Sequence, residues 1–296
     1  MKEMKIYKYV IMAGAALLAL AACNKQPVES NVLAQNEIVF SFQDDAATRA
    51  TEVTTSNLSS MNVSATTGSS SETAVFTSAA FTKQSNKWKG GKYWPATDQS
   101  YHFYASNATL THTTSGNTVS PSNANTDVVV GYLSAPSYKA ENALTLGHIF
   151  SQIGTVTVTA PSGYTVTALK VSVQPKTSGT YNLKSGSWTS RGTAGSATYL
   201  VGTSNSGVSI TTAGGNTNGG DKDLWLVPDT YTLTASYVLH IGDYTSSTIT
   251  KTATVSLTQG ANNNIACTLP ASDDVEEIVF TVTVTPWDTA NKNVDF

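Results

Sequence analysis

The chain has 296 residues, a formal net charge of −3 and only 12% charged residues, about half the usual share of roughly 25%. So weak a charge pattern, with no basic cluster, excludes an electrostatic footprint for nucleic acid and a polybasic face for anionic lipid. Threonine, serine, asparagine and glycine stand where charge is missing.

At the amino terminus Lys2, Lys5 and Lys8 precede an apolar run from Val10 to Ala22. That run is shorter than the roughly 20 residues a membrane-spanning helix needs and has the length of a secretory signal's hydrophobic region. It ends in Leu20-Ala21-Ala22-Cys23, small residues followed by a thiol that can carry diacylglycerol and a palmitate chain. The pattern resembles the lipobox of bacterial lipoproteins. It predicts a signal peptide over 1–22, a leader over 23–49 lipidated at Cys23, and export to the outer membrane. With Cys23 acylated, Cys267 has no disulfide partner. Lying between Ile265 and Leu269 in a strand-like stretch, it reads as a buried apolar side chain. No later stretch is apolar for long enough to cross a bilayer.

The first strand signal is Glu37-Ile38-Val39-Phe40-Ser41-Phe42, which places Ile38, Phe40 and Phe42 on one face. A polar stretch, Asp44 to Thr51, follows and carries Arg49, the only Lys or Arg between Lys25 and Lys83. Such a stretch reads as an exposed linker, and Arg49 either as an incidental surface residue or as a protease site. Trp88, Tyr93, Trp94, Tyr101, Phe103 and Tyr104 form the densest aromatic cluster. It is either core or a stacking platform for sugar.

Apolar and polar residues then alternate over Thr155–Thr159, Leu169–Val173, Thr232–Tyr237 and Thr281–Thr285, as half-buried antiparallel strands require. Turn signals stand at Gly90-Gly91, Ser115-Gly116-Asn117 and Gly214-Gly215-Asn216, and the run Gly214–Gly220 reads as a hairpin loop. Helix formers are scarce, so the predicted class is all-β. About 245 residues beyond the leader suit one or two β-sandwiches. The expected division is 50–148 and 149–296.

Near the end, Glu277-Ile278-Val279-Phe280-Thr281-Val282 repeats the first strand, identical at four positions and conservative at two. Short matches arise by chance in β-rich chains. Alternatively, Ile278, Phe280 and Val282, with Val284 beyond them, fit a groove shaped for Ile38, Phe40 and Phe42.

Motifs for chemistry are sparse. His102, His112, His148 and His240 lack metal-ligand spacing, and there is no nucleophile elbow or phosphate loop. Asp98, Glu141, Asp221, Asp223, Asp229 and Asp243 are the main candidates for a carboxylate pair. The expectation is a protein without catalysis, metal or cofactor.

Taken in order, several segments resemble the fimbrillin family, lipoprotein precursors of pilus subunits in certain anaerobic bacteria. They are the lipobox at Cys23, Thr48-Arg49-Ala50, Tyr93-Trp94-Pro95 with Tyr101-His102-Phe103-Tyr104-Ala105, Leu146-Gly147-His148-Ile149-Phe150, and Val284-Thr285-Pro286-Trp287. The resemblance implies two tandem transthyretin-like β-sandwiches and cutting of Arg49-Ala50 by an Arg-specific protease. It also implies polymerisation with other fimbrillin subunits at the cell surface, through a donor strand at about 275–287. The other reading of an all-β, lipid-anchored chain is a surface glycan-binding lipoprotein of a polysaccharide-uptake system, with Trp88 and Trp94 as its platform.

Overall fold

The computed structural model describes residues 36–44, 54–95, 97, 99–122, 127–271 and 278–286. The signal peptide, Cys23, Arg49, Ala50, Glu277 and Trp287 lie outside the described residues. Those described form an all-β protein, and no helix among them is long and apolar enough to cross a membrane.

The first half contains β1 (Glu37–Asp44), β2 (Ser60–Thr67), β3 (Thr73–Gln84), β4 (Lys87–Tyr93), β5 (Tyr101–Ser106), β6 (Thr111–Thr113), β7 (Gly116–Val119), β8 (Val129–Leu133) and β9 (Glu141–His148). Seven of these strands close into one hydrogen-bonded circuit, in the order β1-β4-β3-β2-β5-β8-β9. Their inward faces pack Phe40, Phe81, Trp88, Phe103 and Leu144 into a first core.

The second half begins with β10 (Ser151–Thr159), β11 (Thr165–Val173), β12 (Gly179–Asn182), β13 (Ser187–Arg191), β14 (Thr198–Val201) and β15 (Val208–Ile210). It continues with β16 (Asn216–Leu226), β17 (Thr230–Ile241), β18 (Tyr244–Thr245), β19 (Ile249–Ser256), β20 (Ala261–Thr268) and β21 (Val279–Pro286). A four-stranded sheet, β16-β10-β20-β21, shares a second core with a six-stranded sheet built around β11 and β17. Strand β17 shows why the alternation in the sequence works: Tyr231, Leu233, Ala235, Tyr237 and Leu239 all point inward, with threonine and serine among the residues between them.

The two halves are knitted together. A small sheet, β13-β12-β7-β6, takes two strands from each half, with Tyr181 opposite Val119 and Asn182 opposite Thr118. Beneath it Tyr104, Val119, Ile149, Phe150, Tyr181, Trp188 and Val227 form a third core. The Trp188 indole N–H donates to the Ile149 carbonyl at 3.1 Å.

Two sequence expectations are corrected here. The run Gly214–Gly220 is a turn only at its start: from Asn216 it is strand β16, paired antiparallel to β10 through Asn216–Thr159, Thr217–Val158 and Asn218–Thr157. Its glycines mark the place where the ladder slips. Gly220 has φ +78°, and a Cβ at Gly219 would lie 2.3 Å from the Leu200 carbonyl oxygen. Gly90-Gly91 likewise lies inside β4 and does not end a strand. Between Glu37–Tyr93 and Val39–Lys89 the register jumps, so this pair forms a bulge, and a Cβ at Gly90 would strike the Phe81 ring at 2.6 Å.

Candidate functional site

Strand β1 is the keystone of the first half. It runs antiparallel to β4, with Phe40 opposite Trp88, and parallel to β9, with register pairs from Val39–Glu141 to Asp44–Leu146. Among the described residues no other strand closes the gap between β4 and β9. Ile38, Phe40 and Phe42 all point inward and are buried. The Phe40 ring, fully buried, meets Phe103 edge-on at 4.9 Å and Phe81 at 5.5 Å, while Phe42 meets Trp88 at 5.1 Å.

Polar contacts fix the register of this strand. Lys89 Nζ lies 3.2 Å from a Glu37 oxygen, and the Trp94 backbone N–H donates to the Asn36 carbonyl at 2.8 Å. Lys87 of β4 reaches across β1 to Glu141 of β9 at 2.5 Å, an exposed pair that contributes about 0–1 kcal/mol. At the far end the Asp44 carboxylate accepts from the Thr55 backbone N–H at 2.7 Å and from its hydroxyl at 2.8 Å. Asp44 and Thr55 flank the segment that carries Arg49, so this clasp holds the two ends of that segment together.

Strand β21 carries the matching residues in a different setting. It pairs antiparallel with β20 over its whole length, from Val279–Thr268 to Pro286–Ala261, and among the described residues no strand pairs with its other side. Ile278 and Phe280 enter the second core, and Val282 packs against it half-buried. Val284 lies on the same face but is 42% exposed, and Val279, on the outer face, is 61% exposed. The repeated motif therefore presents the same three inward positions in both strands, flanked on both sides in β1 and on one side in β21.

The aromatic cluster is core. Trp88, Trp94, Tyr101, Phe103 and Tyr104 are all buried, and only Tyr93 is substantially exposed. Trp94 sits edge-on to Tyr101, Phe103 and Tyr138 at 5.3 to 5.5 Å. Trp88 and Trp94 thus cannot serve as a surface platform for sugar. Cys267 is also buried, as its neighbours imply, and burial pushes its thiol up to about 12.

The histidines are dispersed. His148 pairs with Asp127 at 2.8 Å, His102 with the Gly68 carbonyl and Tyr132, and His240 with Thr167 and Thr245. Among the described residues no three His, Cys, Asp or Glu side chains come together as a metal site.

One ionic cluster had no signal in the sequence. Glu72, its side chain fully buried, receives hydrogen bonds from Thr66, Tyr104 and Lys184, all at 2.7 Å. Lys184 belongs to the second half, so this ion pair ties the β12–β13 hairpin to the first. Burial raises the Glu72 carboxyl, but the three donors together outweigh it and leave the group below its ordinary value. The same contact raises Lys184. Only the fold brings together residues so far apart in the chain.

The chain matches the fimbrillin-like family over residues 48–287. No curated protein matches it. Among solved structures, a fimbrial protein of Bacteroides vulgatus is similar with a TM-score of 0.55 at 14% identity, covering 84% of this chain and 99% of that one. A proposed cell adhesion protein of Bacteroides ovatus aligns with a TM-score of 0.47 at 11% identity, over 86% and 99% of the two chains. A fimbrial assembly protein of Parabacteroides distasonis aligns with a TM-score of 0.41 at 11% identity, over 84% and 99%.

Proposed function

The chain belongs to the fimbrillin-like family, and from that premise we propose that it is a structural subunit of an adhesive cell-surface pilus. In this reading the precursor is exported as a lipoprotein through Cys23, and an Arg-specific protease cuts between Arg49 and Ala50. The leader and β1 then depart together, and the strand at about 275–287 of another subunit fills the vacated groove. The first half, 50–148, is the acceptor domain, and the second, 149–296, is the donor domain. The lipid is then a transport handle that leaves with the first strand.

The observation that carries this reading is the unequal setting of the two matching strands. Among the described residues, β21 has one hydrogen-bonded neighbour strand in its own sandwich, whereas the β1 slot offers two. A strand moving from the edge into the slot exchanges one ladder for two, and each added backbone hydrogen bond is worth about 0.5–1.5 kcal/mol. Ile278, Phe280 and Val282 meanwhile keep an apolar seat. Without β1, the open groove between β4 and β9 is an unpaired edge that demands a partner.

The test is proteolysis of the purified, lipid-free precursor by an Arg-specific protease, followed on a denaturing gel without boiling. Ladders are expected from the parent and not from Arg49→Ala. Deletion of 277–296 should leave a protein that is cut but does not polymerise. Assembly of Arg49→Ala at the parent's rate would refute cleavage gating, and ladders from the truncation would place the donor elsewhere.

A further inference from the structure

The chain contains one Asn-Gly step, Asn218-Gly219, and the fold sets it at a break in strand pairing. Strand β16 pairs with β10 through Thr157–Asn218 and next through Thr155–Asp221. Gly219 and Gly220 therefore stand together opposite Val156 alone, as a bulge requires. Asn218 is exposed, and among the described residues β16 is the outer strand of its sheet.

The Asn218 side chain is held against its own backbone. Gly220 N–H donates to Asn218 Oδ1 at 2.7 Å. A backbone N–H can only donate, so the atom it meets is the amide oxygen and not the nitrogen. The ring closed by that bond contains Cγ and the Gly219 nitrogen, the two atoms that join in a five-membered imide. The same N–H faces the oxygen on which negative charge gathers when Cγ is attacked, an arrangement that stabilises an oxyanion. Gly219 puts no side chain beside its nitrogen, and none would fit: a Cβ there would lie 2.3 Å from the Leu200 carbonyl oxygen.

Other asparagines show these features singly. Asn182 Oδ1 accepts from the Lys184 N–H, two residues on, at 2.9 Å, but Asn182 is buried and Leu183 follows it. Asn216 is exposed in the same strand, but the β-branched Thr217 follows it. Exposure, the local hydrogen bond and a following glycine coincide at Asn218.

We propose that Asn218 is a self-modifying site, at which the folded chain converts its own side-chain amide to an acid. The Gly219 nitrogen gives up its proton to water and attacks Cγ. The Cγ–Nδ2 bond breaks, and Nδ2 takes a proton and leaves as ammonia. Water then adds across one C–N bond of the imide. Opening at Cγ leaves aspartate at position 218; opening at the backbone carbonyl leaves isoaspartate, whose main chain is longer by one methylene. Either product adds one negative charge to a chain of formal net charge −3. The charge falls on an outer strand, where it opposes pairing with another sheet edge. The conversion depends on neither cleavage nor strand exchange.

The test is incubation of the purified full-length chain at neutral and mildly alkaline pH, followed by ion exchange and peptide mass spectrometry. Asn218→Asp marks where the acidic product elutes. One acidic species should accumulate, with its mass gain at position 218 and isoaspartate among its products. Its rate should rise about tenfold per pH unit, in step with the deprotonated fraction of a weakly acidic amide. Asn182 and Asn216 should still be amides when Asn218 is half converted, and Asn218→Gln should not form the species on that timescale. The native chain should convert at least as fast as the chain unfolded in guanidinium chloride. No acidic species, equal conversion at Asn182 or Asn216, equal acidification of Asn218→Gln, or faster conversion in the unfolded chain would each overturn the proposal.

Discussion

Replacing Phe40 by alanine removes the ring around which the first core is arranged. That ring is fully buried and touches Phe42, Phe81 and Phe103 with centroid separations of 4.9 to 5.6 Å. Truncating such a phenylalanine costs about 3–5 kcal/mol, counting lost transfer and the cavity left behind. The circuit has little room to collapse, because β1 is clamped by both β4 and β9, so the upper part of that range applies. With a urea m-value of about 2–3 kcal/mol/M, a loss of about 4–5 kcal/mol should lower the midpoint for the first half by roughly 1.3–2.5 M. Trp88, whose ring lies 5.1 Å from Phe42, reports on this core directly. The matched control is Phe280→Ala, which removes the same side chain from the same motif on an edge strand. It should cost less, about 3 kcal/mol or below, because an edge strand can relax into the gap. A Phe40→Ala shift below about 0.3 M, or a larger loss from Phe280→Ala, would refute the view that β1 is the more deeply seated of the two strands.

Two further outcomes follow from buried polar groups. Glu72 is depressed below its ordinary 4.5 in the folded chain. Its stabilisation is therefore present above that value and lost as pH falls through the folded value. Glu72→Gln should melt earlier than the parent near pH 7, by about 1–3 kcal/mol, with the difference shrinking toward pH 3; an equal difference at both ends would mean the charge contributes nothing. Cys267, buried and with its thiol pushed up to about 12, should resist thiol reagents in the folded chain and react once urea unfolds the second half. Fast labelling of the native protein would contradict that placement.

The strands were legible wherever a half-buried surface imposes a period of two, as in Leu169–Val173 and Thr232–Tyr237. The burial of Trp88 and Trp94 was one of two readings that composition allowed, because a tryptophan in a strand looks the same from either face of a sheet. Glycine misled in two places. Gly90 and Gly219 sit in strands because ring or backbone atoms press where a Cβ would be, and that pressure comes from the tertiary partner. The sheet shared by β7 and β12 and the Glu72–Lys184 pair depend on how the halves meet. Local pattern says nothing about that.

The repeat between β1 and β21 extends beyond what a shared groove requires. Inward packing explains Ile38 with Ile278 and Phe40 with Phe280, but Glu37 with Glu277 and Val39 with Val279 are also identical. Val279 is 61% exposed in its own sandwich, where its identity has no packing reason. In the first half the outward positions do have one: Glu37 lies 3.2 Å from Lys89, and Val39 is half-buried. Under strand exchange in the orientation of β1, Glu277 of the donor would take the place of Glu37 and meet Lys89 of the acceptor. A partly exposed pair of this kind contributes only about 0.2–1 kcal/mol, but like charges in the same position repel and set register. Glu277→Lys should therefore slow ladder formation on protease-cut Lys89 subunits by a few-fold, and Lys89→Glu in the acceptor should restore it. If the doubly exchanged pair assembles no faster than the single variant, the donor enters in another register or direction, and the outward half of the repeat carries no information about assembly.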